Sequence, residues 1–382
     1  MESKKLNDQS VGILPNNVRA EKPFSDRITG EVFRNGQRRD VYADLRDFNG
    51  FDDTGDNDCT STFQSALSEL SVYTHGTLCV PPNSKTYKIS GPLQTSVNGV
   101  NPNCQLYFPL QNVSDEMRTM RIVGDTKPNF SSEGVEAAPR NTRGCIIEST
   151  IQGTGTIPAV FGMPWANQGV TGLRNYITLM FENLIVRTST KSGNTDIAGT
   201  MSAINLERAC QAYLRNVKVD ISSALTSSAR PVNETYGLIM PAQGNKAELE
   251  LAEVFFAEGY KYGLVPSEHI RADHIVIGGC ENGIYTRDGI FTTSIQHLTV
   301  ELNRQNILLN GPMKLNIFTY ESEHFLMDGT KWFTYQTDIK KVGSTGKVNI
   351  VDSTILNSGG ATGTFGTQGT PNYKILLGDG AN

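Results

Sequence analysis

Four carboxylates recur at like places in a series of related segments. Asp220, Glu258, Glu301 and Glu321 each fall at the turn after a segment's opening β-run, and Arg187 holds that place one segment earlier. Neighbouring strands lie about 4.8 Å apart, so matching positions in stacked segments would form a vertical acidic file. Cleavage of a glycosidic bond uses two carboxyl groups, one protonated as acid and one acting as base or nucleophile. A separation of about 5 Å suits a retaining mechanism and about 6.5–9.5 Å an inverting one, so stacked segments offer both. Asp220 and Glu258 are the preferred catalytic pair, because long loops near 188–200 and 222–235 would wall a groove beside them. Glu301 is the alternate acid. Arg187, Tyr236, Tyr260 and Tyr262 are candidate substrate contacts, the tyrosines because sugar rings present apolar faces to aromatics. The ordinary alternatives are a solvated surface carboxylate and a core tyrosine.

Other chemistries fit less well. No Gly-x-Ser-x-Gly elbow occurs, and Gly343-Ser344-Thr345-Gly346-Lys347 lacks both the leading spacing of a phosphate loop and the Ser/Thr after its lysine. The five histidines are dispersed, and His269 with His274 lack the companions of a zinc site, so core or turn roles are expected and no metal or cofactor. Cys59, Cys79, Cys104, Cys145, Cys210 and Cys280 form no CxxC pair and read as reduced, buried thiols. A net charge of -5 argues against nucleic acid as the partner. No stretch approaches the roughly 18 unbroken apolar residues of a membrane span, and no apolar run follows the lysines of MESKKLNDQS as an export signal would require.

The elements that must position these residues are short strands. EVFFAEGYKYGLVP from Glu253, HIVIGGCENGIYTR from His274, HLTVELNRQNILLN from His297 and NIFTYESEHFLMDG from Asn316 recur roughly every 20 residues, the mark of a repeating solenoid. Units opening at Asn183 and Asn216 begin alike but carry longer side loops. Alternation assigns Val254/Phe256, Ile275/Ile277, Leu298/Val300 and Ile317/Thr319 to the inner face. Gly278-Gly279 and Asn282-Gly283 read as turns. Upstream, Phe63, Ala66, Leu67 and Leu70 form the apolar stripe of one helix, with Ser61 and Gln64 at capping-box spacing. The chain divides into an arm or attachment segment at 1–40, an opening segment with the capping helix at 41–93, a repeat region at 94–335, and a cap or oligomer-contact segment at 336–382.

Ala43–Leu93 resembles the opening segment of the pectate-lyase-like β-helix superfamily, especially phage tailspikes and pre-neck appendage proteins. The likeness lies in Asp47-Phe48-Asn49-Gly50, the acidic turn Asp53–Thr60, the helix, and Gly76-Thr77-Leu78-Cys79-Val80-Pro81-Pro82 followed by Tyr87. It departs from the pattern at Asn49, at Cys59 and in the later position of Tyr87. Asp53, Asp56 and Asp58 read as caps for turns and the helix N-terminus rather than metal ligands. The resemblance implies an all-β, right-handed parallel β-helix with one capping helix. It also implies a homotrimeric virion tail protein, attached through its N-terminal arm, that binds and hydrolyses a bacterial surface polysaccharide. A polysaccharide lyase and a non-catalytic glycan adhesin stay open as alternatives; a lyase would draw its cation from Arg187, Lys218 or Lys261.

Overall fold

The computed structural model describes residues 28–34, 37–83, 85–95, 103–109, 118–126, 144–150, 158–162, 177–188, 201–207, 209, 211–221, 234–240, 249–266, 270–287, 292–301, 303–325, 337–342 and 345–358, with backbone alone at 28–34, 37–40, 249–258, 323–325 and 356–358. Among these, strands dominate and there is a single α-helix, α1 (Thr60–Leu70). No helix among them is long and apolar enough to cross a membrane.

The strands form two sheets. One contains β1 (Ile28–Arg34), β2 (Gln37–Asp44), β3 (His75–Val80), β6 (Arg118–Gly124), β9 (Ile177–Thr188), β11 (Gln211–Ile221), β13 (Leu249–Glu258), β15 (Ile270–Gly278), β17 (Thr292–Glu301), β19 (Lys314–Phe325) and β21 (Lys347–Ser358), joined by β4 (Tyr87–Ile89) and β7 (Cys145–Ser149). The other runs through β5 (Cys104–Tyr107), β8 (Ala159–Gly162), β10 (Met201–Asn205), β12 (Thr235–Ile239), β14 (Tyr262–Val265), β16 (Asn282–Thr286), β18 (Gln305–Leu309) and β20 (Thr337–Lys341). We call them the long and the short sheet. β1 and β2 pair antiparallel; the other ladders joining these strands are parallel. From β8 onward successive strands alternate between the sheets, and inner residues of both, such as Leu214, Ile275, Leu264 and Ile284, share one apolar core. This arrangement is compatible with a β-helix. It continues through β20 and β21, beyond the point where the sequence repeat fades.

Each repeat unit is one long-sheet strand followed by one short-sheet strand. The long strands turn a corner partway along, and there two consecutive residues leave the core. In β15, Ile270 and Ala272 point inward, Asp273 and His274 outward, and Ile275 and Ile277 inward again. Simple alternation therefore misplaces one unit. Buried Tyr320 and Ser322, not Thr319, continue the inner face of β19. In β13 the backbone pairs Phe255 and Ala257 with Ile275 and Ile277, and the side chains of Val254 and Phe256 lie outside the described residues. Asn183 and Asn216 occupy the corner with φ of 55° and 52°, a region asparagine tolerates, and Asn216 Nδ2 donates to Asn183 Oδ1 at 3.1 Å.

Of the two expected glycine turns, Gly279 does turn, with φ 62°, whereas Asn282-Gly283 lies within β16. Glycine is required there by close approach: a Cβ on Gly263 would lie 2.8 Å from Gly283 O, and one on Gly283 2.7 Å from Asn306 O.

The stripe Phe63, Ala66, Leu67 and Leu70 is fully buried under α1. The capping box does not form. The helix begins two residues earlier than that spacing requires, with Cys59 at the N-cap, and Gln64 instead exchanges hydrogen bonds with the Tyr107 backbone. Asp58 accepts from Thr60 N, Thr60 Oγ1 and Ser90 N, tying the helix start to the strand beyond it. Asp52 holds the preceding turn through Thr54 and the Asn57 N–H, and the Thr54 hydroxyl foremost among these holds its carboxyl at about 2. Cys59, Cys104, Cys145 and Cys280 are buried free thiols and Cys79 is half-buried; Cys210 lies outside the described residues.

Candidate functional site

The file expected from sequence exists in the backbone register of the long sheet, on its outer face. Glu148 pairs with Arg187 and Arg187 with Asp220. Val219 pairs with Ala257, which sets Asp220 beside Glu258; Glu258 pairs with Gly278, Gly278 with Glu301, and Glu301 with Glu323. Each member lies four residues after its corner residue: Asn183, Asn216, Val254, His274, His297 and Thr319. Glu321 is the exception. It pairs with Thr299 and so stands two residues short of the file, because the corner of β19 falls at Thr319 rather than at Asn316. The Glu258 side chain lies outside the described residues.

The file has two unlike halves. At Asp220 it is closed: the carboxylate is fully buried, accepts from Arg187 Nε at 2.7 Å and Nη2 at 3.0 Å, and lies 3.5 Å from Lys218 Nζ, itself 1% exposed. Burial alone would lower the Arg187 pKa, but the Asp220 charge and its hydrogen bonds outweigh burial and the net shift is upward. An aspartate held in this way is neutralised by its own neighbours. Tyr260, also fully buried, donates to the Asp220 carbonyl at 2.7 Å and accepts from Thr188 Oγ1 at 3.3 Å, so its ring fills core space.

Beyond Gly278 the outer face is open. His274 and His297 stack with centroids 4.7 Å apart. His297 Nε2 lies 3.4 Å from Glu321 Oε2, which also accepts from Thr299 Oγ1 at 3.3 Å. Glu301 is half-buried beside them. Burial, with the neighbouring His297 adding to it, lowers the His274 pKa below its ordinary value, against a smaller opposing pull from Glu321. A group depressed in this way contributes stability that is present above its unfolded pKa of about 6.5 and lost as pH falls through the folded value. Melting temperature should therefore decline between pH 7.5 and 5, and His274→Asn should flatten that decline; an unaltered slope would remove His274 from the acid response.

Tyr236 and Tyr262 come together on the outer face of the short sheet, away from the file. Tyr262 stacks between Tyr236 and Tyr285 at centroid distances of 5.0 and 4.3 Å, nearly parallel to both. Lys261 Nζ lies 5.5 Å from the Tyr262 centroid. Tyr262, sandwiched between the other two rings, offers an edge rather than a face to a sugar.

Sequence reasoning missed the histidine pair and Phe318. The signal for the first was present, since consecutive units open on His274 and His297. Phe318 is a corner residue, paired through its neighbours Ile317 and Thr319 with Ile295 and His297, and is 43% exposed. Among the described residues no group of three His, Cys, Asp or Glu side chains could hold a metal. No protein-family model matches the chain, and a search of curated proteins finds no match either.

Proposed function

We propose that the chain is a right-handed parallel β-helix of the pectate-lyase-like kind, acting as a phage tailspike or appendage protein that binds and hydrolyses a bacterial surface polysaccharide. The observation that carries this reading is the carboxylate file of the long sheet's outer face, together with the His297–Thr299–Glu321 cluster beside its open half. Right-handedness follows the strong preference of parallel crossover connections. The opening-segment resemblance and the alternation of strands between two parallel sheets agree with the fold. A homotrimer joined to the virion through residues 1–40 belongs to the same reading.

The working carboxylates in this proposal are Glu301 and Glu321, with Glu258 as the next acid along the file. Glu301 and Glu321 lie on adjacent strands two residues out of register, a separation of about 8 Å that suits an inverting hydrolysis with room for water. Glu321, oriented by Thr299 and His297, would take the water's proton, while Glu301 protonates the departing glycosidic oxygen. Asp220 and Arg187 hold the adjoining coils in place.

Elimination is less well served. A lyase needs a cation beside the uronate, and Arg187 and Lys218 both sit buried against Asp220 while Lys261 lies by Tyr262 on the other sheet.

The test is depolymerisation of capsules, O-antigens and teichoic acids followed by product size. Glu301→Gln and Glu321→Gln should each slow cleavage on the order of 10²–10⁴-fold while binding persists. Full activity in both removes this site, an unsaturated ultraviolet-absorbing product indicates a lyase, and binding without cleavage indicates an adhesin.

A further inference from the structure

Among the described residues of the open half, Phe318 is the carbocyclic aromatic ring most open to solvent. Phe318 is 43% exposed at the corner of β19, and Val351, the corresponding corner residue of β21, is 75% exposed. Phe318 thus leaves part of an apolar ring in water that burial would have removed. Its surroundings are polar and hydrogen-bonding: Gln296 and His297 on the strand before, Thr319 and Glu321 on its own strand, and Asp352 on the strand after. An apolar face rimmed by acceptors and donors matches one face of a sugar ring, whose C–H groups meet the aromatic while its hydroxyls meet the rim.

The charge of that rim narrows the ligand. Asp352 stands beside the Phe318 corner and Glu321 three residues beyond it, while the cations of the same strands, Lys314 and Lys347, lie toward their opposite ends, about 13 Å from Phe318 and Val351. At physiological ionic strength charges farther apart than about 8 Å are largely screened, so the lysines do little to offset the acids locally. A uronate or phosphate seated on Phe318 would meet like charge, whereas an uncharged or amino-bearing sugar would not.

We propose that Phe318 is the stacking platform of a subsite for uncharged or amino sugars, beside the carboxylates of the open half. The inference rests on the glycan reading above and specifies which glycans that reading admits.

Full-length protein would be run in affinity electrophoresis through gels containing dextran, chitosan, a neutral O-antigen, polygalacturonate or glycerol teichoic acid. Retention is expected in one or more of the first three and in neither of the last two. Phe318→Ala should weaken retention roughly tenfold and Phe318→Trp should preserve it. Retention unchanged in Phe318→Ala, or found only with the anionic polymers, overturns the platform while leaving the glycan reading standing. Wild-type protein that none of these polymers or the host's own glycan retains overturns both. Circular dichroism of Phe318→Ala should match wild type; a misfolded Ala variant transfers the decision to Phe318→Trp and to Phe318→Ser.

Discussion

Replacing Arg187 with methionine is expected to lower stability by about 3 kcal/mol, toward the bottom of the range for breaking a buried ion pair. The loss comes less from the attraction forgone than from the carboxylate left behind. Asp220 has no exposed surface, and Arg187 supplies two of its hydrogen bonds at 2.7 and 3.0 Å. Lys218, 3.5 Å from the other side of the carboxylate, remains in the variant and moderates the loss. Replacing the whole group, as Arg187→Met with Lys218→Met and Asp220→Leu, should recover most of the stability, because apolar side chains of similar size carry no desolvation penalty. Urea denaturation followed by circular dichroism measures both. Arg187→Met with a wild-type midpoint would show that the pair contributes nothing. The same geometry governs Asp220→Asn, which cannot balance two buried cations; loss of activity in that variant would report on folding as readily as on catalysis.

The second large effect is expected at Asp338. This aspartate lies inside the core, fully buried, and its Oδ1 accepts from Tyr320 OH at 2.6 Å, Ser322 Oγ at 2.9 Å and Asn306 Nδ2 at 2.9 Å. Asn303 extends the network by donating to Asn306 Oδ1 and to the Ile277 carbonyl. Asp338→Ala removes this shared acceptor; Asn306 Nδ2 keeps Tyr320 OH and Ser322 Oγ as acceptors, so the two hydroxyls are the donors left unsatisfied, and at about 1–3 kcal/mol each a loss on the order of 4 kcal/mol is expected. It should be local. β20 pairs with β18 and β19 with β17 and β21, so hydrogen exchange should quicken in β17–β21 and stay unchanged near α1. Tyr320→Phe, which removes one donor together with its need, should cost far less. Uniform acceleration along the chain would contradict this assignment.

Much of the strand layout was legible in the sequence, because a coil of fixed length repeats its apolar residues at a fixed interval. The helical stripe from Phe63 to Leu70 was equally plain. What alternation alone could not supply was the corner, where two residues in succession face outward. That shift moved Thr319 off the inner face and set Glu321 beside Thr299 instead of Glu301. The acidic file itself was legible, since its members keep one offset from the corner. Its chemistry was not: that Arg187 and Lys218 would consume Asp220 depends on burial, which charge and spacing do not reveal. Tyr260 illustrates the same gap, its aromatic ring suiting a sugar or a core equally until its hydroxyl is found on the Asp220 carbonyl.

From β11 to β21 the parallel ladders of the long sheet run from strand to strand along the stack, each bonded to the strand before it and the strand after it. Tension applied along that direction loads the rungs in series, so the weakest ladder yields first and the rest are spared until their turn. Compression loads the backbones through their side-chain contacts instead, where close packing resists it. Such a molecule should bear a thrust along its stack far better than a pull.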